Sequence, residues 1–204
     1  MVELFLVRHG ECSGSGNYIG RGSDVTLTEE GIEQIKKLSS FLRENQDDNP
    51  IDLIFSSPMI RCQESSAIIS KDLDIQVETL PGMEEIDFGD WEGLAADYIK
   101  ETEEDRFNQW IENPVLRKPE NGETLVELKE RVLNSFSPIQ EKINDDKKWR
   151  IVLVSHRGPI AVIITELLGM DLTSFWNFRI DRGSLSVLNL YPQFSELALL
   201  NRMF

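Results

Sequence analysis

The segment Leu4-Phe5-Leu6-Val7-Arg8-His9-Gly10-Glu11 joins a short apolar run to an arginine, a histidine and a glycine. A continuous apolar run of this length is typical of a strand that is covered on both faces. In open α/β sheets, ligands bind just outside the carboxyl ends of the strands. The segment therefore predicts a buried first strand that carries His9 to a ligand site.

The only other histidine of the chain lies in a segment of the same form, Leu153-Val154-Ser155-His156-Arg157-Gly158. For either histidine alone, a polar residue that simply closes a strand is the better interpretation. Together they favour one anion site, because a glycine after each lets backbone N–H groups approach an anion closely. Metal binding is the competing interpretation, although two histidines without a third ligand make a weak metal site.

A third predicted strand end reads Ser56-Ser57-Pro58-Met59-Ile60-Arg61. Ser57 and Pro58 suit the N-cap and the first position of a helix, which places Arg61 in the first turn. A guanidinium group can bind two phosphate oxygens, and a helix N-terminus also favours an anion. Arginine opposes the helix dipole there, and this local mismatch indicates function. A solvated surface arginine is the alternative interpretation.

An acidic loop, Glu84-Glu85-Ile86-Asp87-Phe88-Gly89-Asp90-Trp91-Glu92-Gly93, supplies candidate proton donors. A carboxyl group held beside apolar surface can have a raised pKa and act as a general acid. Spacing alone does not decide which of these acids has that role, and most acids in such a loop simply face solvent.

Strand and helix patterns alternate along the rest of the chain. Thr28 is the predicted N-cap of a helix that runs to about Leu42, and residues 45–50 form a polar break. Further strands are predicted at 52–55, 74–79 and 151–154, helices at 124–143 and 159–168, and a terminal hairpin at 185–191 and 196–200. This alternation predicts one α/β domain over residues 1–204 with a mostly parallel sheet. Residues 94–120, acidic and aromatic, are predicted to be a short helical excursion beyond that sheet.

Composition limits the possible partners. A net charge of -15 argues against binding to nucleic acid or to an anionic membrane surface. No apolar run is long enough to span a membrane, and Glu3 stands where a signal peptide carries a cation. Cys12 and Cys62 have no spacing typical of a zinc site or a disulfide, so we expect small packing residues and a cytoplasmic location.

In this order, the four segments resemble the histidine phosphatase superfamily, on its phosphoglycerate mutase-like branch. The resemblance extends from Val7 to Ser186 and includes Asp24-Val25-Thr26-Leu27-Thr28-Glu29-Glu30-Gly31, Gly122-Glu123-Thr124 and Asp181-Arg182-Gly183-Ser184-Leu185-Ser186. It implies a three-layer α/β/α sandwich around a mostly parallel mixed sheet. It also implies that residues 94–120 form a cap-like excursion over the active site.

By position, the resemblance implies that His9 is the nucleophile and Glu85 the proton donor, while Arg8, Arg61 and His156 bind the phosphoryl oxygens. This chemistry is coherent, because a neutral imidazole nitrogen can attack phosphorus while cationic groups stabilise the transferring phosphoryl group. The implied substrate is a small phosphate ester. No cofactor and no metal are expected, since the arginines supply the positive charge.

Two positions depart from the family pattern. Ser15 stands where the family usually has an asparagine, so it is the candidate for that substrate contact, with Asn17 as the nearest asparagine. Arg157 stands where glycine or alanine is common. It either points away from the pocket or adds positive charge at the pocket mouth.

Several activities compete within the resemblance. The mutases usually carry a Tyr-Gly pair after the acid, whereas this chain has Phe88-Gly89, so water is the expected phosphoryl acceptor. The segment Tyr18-Ile19-Gly20-Arg21 and the pair Phe175-Trp176 look similar to α-ribazole-5′-phosphate phosphatases. A phosphoglycerate mutase and a broad-specificity or sugar phosphatase are the alternatives. A catalytically inactive phosphate-binding scaffold is disfavoured, because all five implied catalytic side chains are present.

Overall fold

A computed structural model describes residues 1–46 and 49–204, which contain six strands and seven α-helices. The strands are β1 (Val2–Arg8), β2 (Leu53–Ser56), β3 (Val77–Thr79), β4 (Trp149–Ser155), β5 (Leu185–Leu190) and β6 (Ser195–Arg202). The helices are α1 (Glu29–Glu44), α2 (Ile60–Leu73), α3 (Ala96–Thr102), α4 (Glu104–Glu112), α5 (Leu125–Ser135), α6 (Ser137–Glu141) and α7 (Arg157–Leu167), and short 3-10 helices span Gly89–Trp91, Lys142–Asn144 and Leu172–Asn177. Residues 47 and 48 of the predicted polar break lie outside the described ranges.

All six strands form one mixed sheet in the order β3-β2-β4-β1-β5-β6. Strand β4 runs parallel to both β1 and β2, while β5 runs antiparallel to β1. In register, Arg8 faces Ser155 and Ser56 faces Val154, so β1, β4 and β2 end at the same edge. The predicted sheet is confirmed, and its register brings the segments after the three strands together.

The central strands β1 and β4 are buried on both faces, with a helical layer on each side of the sheet. Leu4 and Leu6 join the core that includes α5, α6 and α7, whereas Phe5 and Val7 join the core that includes α1 and α2. Alternate residues of a strand point to opposite faces, so one buried strand serves both cores. This arrangement is the predicted three-layer α/β/α sandwich.

Helix starts follow the predictions at α1 but differ at α2. The hydroxyl of Thr28 accepts a hydrogen bond from the backbone N–H of Gly31, as expected of an N-cap. Helix α2 begins at Ile60 with Met59 as its N-cap, so the prediction that Ser57 caps this helix is wrong. The Ser57 hydroxyl lies 2.9 Å from Nε2 of His156. The side chain therefore contacts the neighbouring strand end, and the first N–H of the helix, that of Ile60, donates to the carboxylate of Asp24 instead.

The predicted helix over 124–143 is interrupted. Helix α5 ends at Ser135, and the separate short helix α6 carries Pro138 in its first turn. Proline lacks an N–H, and its ring clashes with the carbonyl four residues earlier, so it cannot continue a helix without a break. The amphipathic spacing continues across this break, which explains why the pattern alone predicts one helix.

Residues 94–120 leave the sheet and form helices α3 and α4, as predicted. Their buried side chains Ile99, Phe107 and Trp110 pack with Trp91 in a separate apolar cluster. Tyr18 and Trp176 pack against this cluster from the body of the protein. No helix within the described ranges has the length and apolar character needed to cross a bilayer.

Candidate active site

The two histidines meet at the common edge of β1 and β4. Their ring centroids lie 5.1 Å apart in an edge-on arrangement, and both side chains are buried. The backbone N–H of His9 donates to the carbonyl of Ser155, which extends the strand pairing by one residue beyond Arg8. The sheet register therefore fixes the His9 backbone beside the strand that ends in His156.

The surroundings of His9 leave its Nε2 unprotonated. Its Nδ1 lies 2.8 Å from the carbonyl oxygen of Gly10, which can only accept, so Nδ1 carries the hydrogen. Burial, followed by the positive charges of Arg8 and Arg61, lowers the pKa of His9 well below its ordinary value of 6.5. A neutral ring with a free Nε2 lone pair is the form that a nucleophilic imidazole needs.

Arg61 lies in the first turn of α2, as predicted, and is fully buried. Its Nε donates to Nδ1 of His156 at 3.2 Å, and its Nη1 and Nη2 donate to the carbonyls of Ser23 and Gly20. A guanidinium has five N–H donors. The three bonds to described residues fix its orientation and leave two donors available for an anion.

Arg8 is half-buried beside His9, and one of its donors is buried and unsatisfied. Its Nη1 donates to the carbonyl of Ile180 at 2.7 Å, while its buried Nε has no hydrogen-bond partner among the described residues. Burial lowers the pKa of Arg8 to about 10, partly opposed by the negative charge of Glu85. A buried donor without a partner costs about 1–3 kcal/mol, so Nε is suited to an incoming oxygen.

His156 is bonded to the protein through both ring nitrogens. Its Nδ1 accepts from Arg61, so its Nε2 carries the hydrogen and donates to the hydroxyl of Ser57 at 2.9 Å. Burial, followed by the charge of Arg61, lowers the pKa of His156 well below 6.5. His156 therefore orients the Arg61 guanidinium, a link that the spacing of the two segments does not reveal.

Glu85 is the acid of the 84–93 loop that lines the cavity. Its Oε1 accepts from the backbone N–H groups of Ile86 and Gly158, both at 2.9 Å. A Cβ at position 158 would lie 2.3 Å from that same oxygen, so any larger residue there would displace the carboxylate. Glu92, by contrast, accepts from the backbone N–H groups of Gly20 and Gly22, away from the cavity.

A cavity of about 220 Å³ opens beside Arg8 and Glu85. One wall is aromatic, and the remaining lining includes cationic and aliphatic side chains. The lining residues are Arg8, Asn17, Tyr18, Ile19, Glu85, Ile86, Phe88, Trp110, Ile111, Arg157, Gly158, Phe175, Trp176 and Arg182. His9 and His156 are not among the lining residues but directly follow or precede Arg8 and Arg157, which are. The cavity therefore has the size and position to receive the organic part of a phosphate ester.

The two positions that depart from the family pattern have different locations. Arg157 lines the cavity, with its guanidinium carbon 4.4 Å from the Trp176 ring centroid, so it adds positive charge there. Ser15 is exposed and is not among the lining residues, and its hydroxyl accepts a hydrogen bond from Arg182. Asn17 does line the cavity. The contact of Ser15 with substrate stays a prediction.

The cysteines are placed as packing residues, as predicted. Cys12 and Cys62 are both buried free thiols, and Sγ of Cys62 lies 3.3 Å from Nε2 of His156. Burial raises the pKa of both thiols. Within residues 1–46 and 49–204, no three histidine, cysteine or acidic side chains are grouped in a way that could hold a metal ion.

Comparisons with known proteins agree with the motifs. The family model of the histidine phosphatase superfamily (branch 1) matches residues 4–203. The chain is 29% identical to the adenosylcobalamin/alpha-ribazole phosphatase of Escherichia coli strain K12, covering 98% of this chain and 96% of that protein. It is 31% identical to phosphoserine phosphatase 1 of Hydrogenobacter thermophilus, covering 98% and 92%.

The fold comparison gives the same result. The alpha-ribazole phosphatase of Shigella flexneri superposes with a TM-score of 0.83 at 30% identity, covering 98% of this chain and 96% of that chain. These matches confirm the fold and the phosphatase class that the sequence predicts. The chain belongs to branch 1 of the histidine phosphatase superfamily.

Proposed function

We propose that this protein hydrolyses phosphate monoesters in two steps, through a phosphohistidine at His9. The observation that carries the proposal is the geometry of the His9 ring, which is bonded through Nδ1 to the Gly10 carbonyl and has no bond to Nε2 from any described residue. The lowered pKa of His9 favours the neutral ring. The Nε2 lone pair attacks phosphorus, the N–P bond forms and the ester P–O bond breaks. The positive charge that develops on the ring is stabilised by the Gly10 carbonyl.

Arginine side chains stabilise the transferring phosphoryl group. Arg8 offers its unpartnered Nε, and Arg61 offers its two remaining N–H groups to the equatorial oxygens. His156 directs Arg61 and shares its own Nε2–H between Ser57 and a phosphoryl oxygen. Positive charge of this kind supplies the stabilisation for which many phosphoryl-transfer enzymes use metal ions.

Glu85 moves the proton in both steps. It first donates a proton to the leaving ester oxygen, and in the second step it accepts a proton from the attacking water. The P–N bond then breaks, which releases inorganic phosphate and restores neutral His9. The position of Glu85 in the cavity wall, beside Arg8, supports this role.

Covalent trapping tests the mechanism. Rapid acid-free quenching with a ³²P-labelled substrate should label the protein through an acid-labile, base-stable bond, and His9→Ala should abolish both the label and turnover. The same reaction should proceed at full rate after exhaustive treatment with EDTA. Retained turnover in His9→Ala would exclude the covalent route, and an unlabelled, inactive wild-type protein would favour a phosphate-binding scaffold.

The aromatic wall favours a leaving group that contains a flat ring, and α-ribazole 5′-phosphate is the candidate substrate. Tyr18, Phe88, Trp110, Phe175 and Trp176 all line the cavity. Aromatic side chains gain about 0.5–1.5 kcal/mol from ring–ring contacts beyond simple burial. Relatives named as alpha-ribazole phosphatases support the same choice.

Phosphoserine is the second candidate, because Arg157 and Arg182 could bind a carboxylate on the leaving group. Its ammonium group fits less well, since Glu85 is the one carboxylate among the described lining residues and is committed to proton transfer. Values of kcat/KM for α-ribazole 5′-phosphate, O-phosphoserine and a simple alkyl phosphate decide between the two. A preference for phosphoserine would overturn the ring-based choice.

Residues 94–120 act as a cap over this cavity within a single catalytic domain. Helix α4 contributes Trp110 and the adjacent Ile111 to the lining, and Trp110 contacts Trp176 with ring centroids 5.0 Å apart. The cap therefore supplies one wall of the leaving-group site. Replacing Ile111 with alanine should alter the ranking of substrates but leave inhibition by inorganic phosphate unchanged.

A further inference from the structure

Arg131 of helix α5 donates all five of its N–H groups, three to the loop that contains Glu85 and two to Glu123. Three of the acceptors are backbone carbonyls of one loop, those of Gly82, Glu84 and Glu85, at 2.9, 2.8 and 2.8 Å. The other two are the carboxylate oxygens of Glu123, at 2.6 and 2.8 Å. A guanidinium satisfied in this way has little freedom to move.

Helix α5 gives this guanidinium a rigid base. Leu128 and Val132, on either side of Arg131 along the helix, are fully buried in the core beneath the sheet. Glu123 is also bonded to the loop, because its backbone N–H donates to the carbonyl of Asp87 and its carboxylate accepts from the Asp87 N–H. Arg131 and Glu123 therefore hold the loop on both sides of Glu85 against α5 and the segment just before it.

The Glu85 residue is held at two points by different elements. Its carbonyl accepts from Arg131, while its carboxylate Oε1 accepts from the N–H of Gly158 at the start of α7. Residues 80–88, the loop that contains Glu85, have no regular secondary structure. Loss of the carbonyl contact removes one of these two anchors, so the carboxylate can shift relative to the leaving oxygen.

We propose that Arg131 is a positioning residue for proton transfer, acting through the backbone of Glu85 without touching substrate. This inference rests on the proposed role of Glu85 as the acid. Proton transfer requires heavy atoms within about 2.6–3.2 Å of each other. A misplacement of about 1 Å at a reacting centre can cost about 10²-fold in rate.

Leaving-group dependence tests the proposal. In Arg131→Lys, kcat/KM for an alkyl phosphate should fall by about 10²-fold, whereas hydrolysis of p-nitrophenyl phosphate should change by less than about threefold. The p-nitrophenolate group departs without a proton, so it does not need a positioned acid. Arg43→Lys is the matched control, because Arg43 makes a surface ion pair with Asp72 in a part of the molecule outside the site and should leave both substrates unaffected.

A double-mutant cycle with Glu85→Gln separates positioning from a general structural role. If Arg131 acts only through Glu85, Arg131→Lys should cost little more on the alkyl substrate once Glu85 is already Gln. Added methylguanidinium should partly restore alkyl phosphate hydrolysis in Arg131→Ala. Should either Arg131 variant fail to fold, Glu123→Gln removes one anchor of the guanidinium and should give a smaller loss with the same selectivity.

Two results would overturn the proposal in distinguishable ways. Equal losses on both substrates in a folded Arg131→Lys variant, while Glu85→Gln remains selective, would exclude positioning by Arg131 and leave the acid assignment intact. Equal losses in Glu85→Gln itself would exclude Glu85 as the acid, and the role of Arg131 would fall with it.

Discussion

The end of the site that holds His9, Arg61 and His156 differs in construction from the leaving-group end formed by the cavity walls. The first set follows three neighbouring strands and is almost fully buried. The second comes from loops, from helix α4 and from the 3-10 helix that contains Trp176. The comparison indicates that sheet register positions the residues proposed for phosphoryl transfer, whereas segments outside the sheet line the proposed leaving-group site.

The largest expected effect concerns Glu85, which stands at the boundary of the two ends. Glu85→Gln should reduce kcat/KM for an alkyl phosphate by about 10²–10⁴-fold, because the leaving alkoxide then departs without its proton. The loss for p-nitrophenyl phosphate should be much smaller. Glu84→Gln is the control, since Glu84 accepts from Gly82 and does not line the cavity. Selectivity in the Glu84 variant would move the proton donor to that residue.

A substitution at the phosphate end should lower kcat/KM for all substrates, whatever their leaving group. Arg8→Gln removes the unpartnered buried donor and should lower kcat/KM by about 10²–10³-fold for every substrate, with weaker inhibition by inorganic phosphate. Arg43→Gln, at an exposed ion pair with Asp72, should have no effect. A loss confined to one class of leaving group would contradict the division between the two ends.

The burial of His9 and His156 should appear as a pH dependence of the free energy of unfolding. Since burial lowers the pKa of His9 and His156 well below 6.5, the unfolded chain binds more protons than the folded chain below that pH. The free energy of unfolding should therefore fall as pH drops below 6.5, by up to about 1.4 kcal/mol per pH unit for each histidine. Above pH 7 these groups should contribute no slope.

Urea unfolding between pH 5 and 8 measures this slope. Carboxylates also titrate at the acid end, so the informative quantity is the difference between the wild type and His9→Asn. The variant should lose one histidine's share of the slope. An unchanged slope would mean that His9 is protonated in the folded protein near its ordinary pKa.

The smallest expected effect belongs to the leaving-group end. Trp176→Leu removes an aromatic wall and the ring beneath the Arg157 guanidinium. We expect kcat/KM for α-ribazole 5′-phosphate to fall by about tenfold, with O-phosphoserine and inhibition by phosphate nearly unchanged. Equal losses across substrates would indicate that Trp176 supports the fold of the site and does not select its ligand.

The proximity of His9 and His156 can be predicted from the sequence because both residues follow short buried strands. Strand ends at one edge of a parallel sheet must lie together, so the sequence predicts that His9 and His156 lie close to each other. The side chain of Ser57 could not be predicted, since the same Ser-Pro pattern fits a helix N-cap. Its bond to His156 depends on a register between β2 and β4 that is set by the whole sheet.

Arg131 was not identified because helical spacing suggests a different environment. Glu127 and Arg131 are four residues apart, as in an ordinary exposed ion pair on a helix. Glu127 instead completes the capping box with Thr124. Arg131 bonds to Glu123 and to the backbone of the loop that contains Glu85. Which direction a long side chain takes depends on the tertiary packing around it, and the position of Arg157 over Trp176 illustrates the same limit.

The position of β1 in the sheet has a consequence for synthesis of the protein. Both neighbours of β1, namely β4 and β5, lie beyond residue 148, although β1 itself ends at Arg8. On the ribosome, the strand that leads into the proposed nucleophile emerges well before β4 and β5 and has no native partner until they follow. Its unpaired backbone N–H and C=O groups and its apolar side chains are a target for wrong pairing during that interval, so the yield of folded protein should depend on how well the nascent chain is shielded.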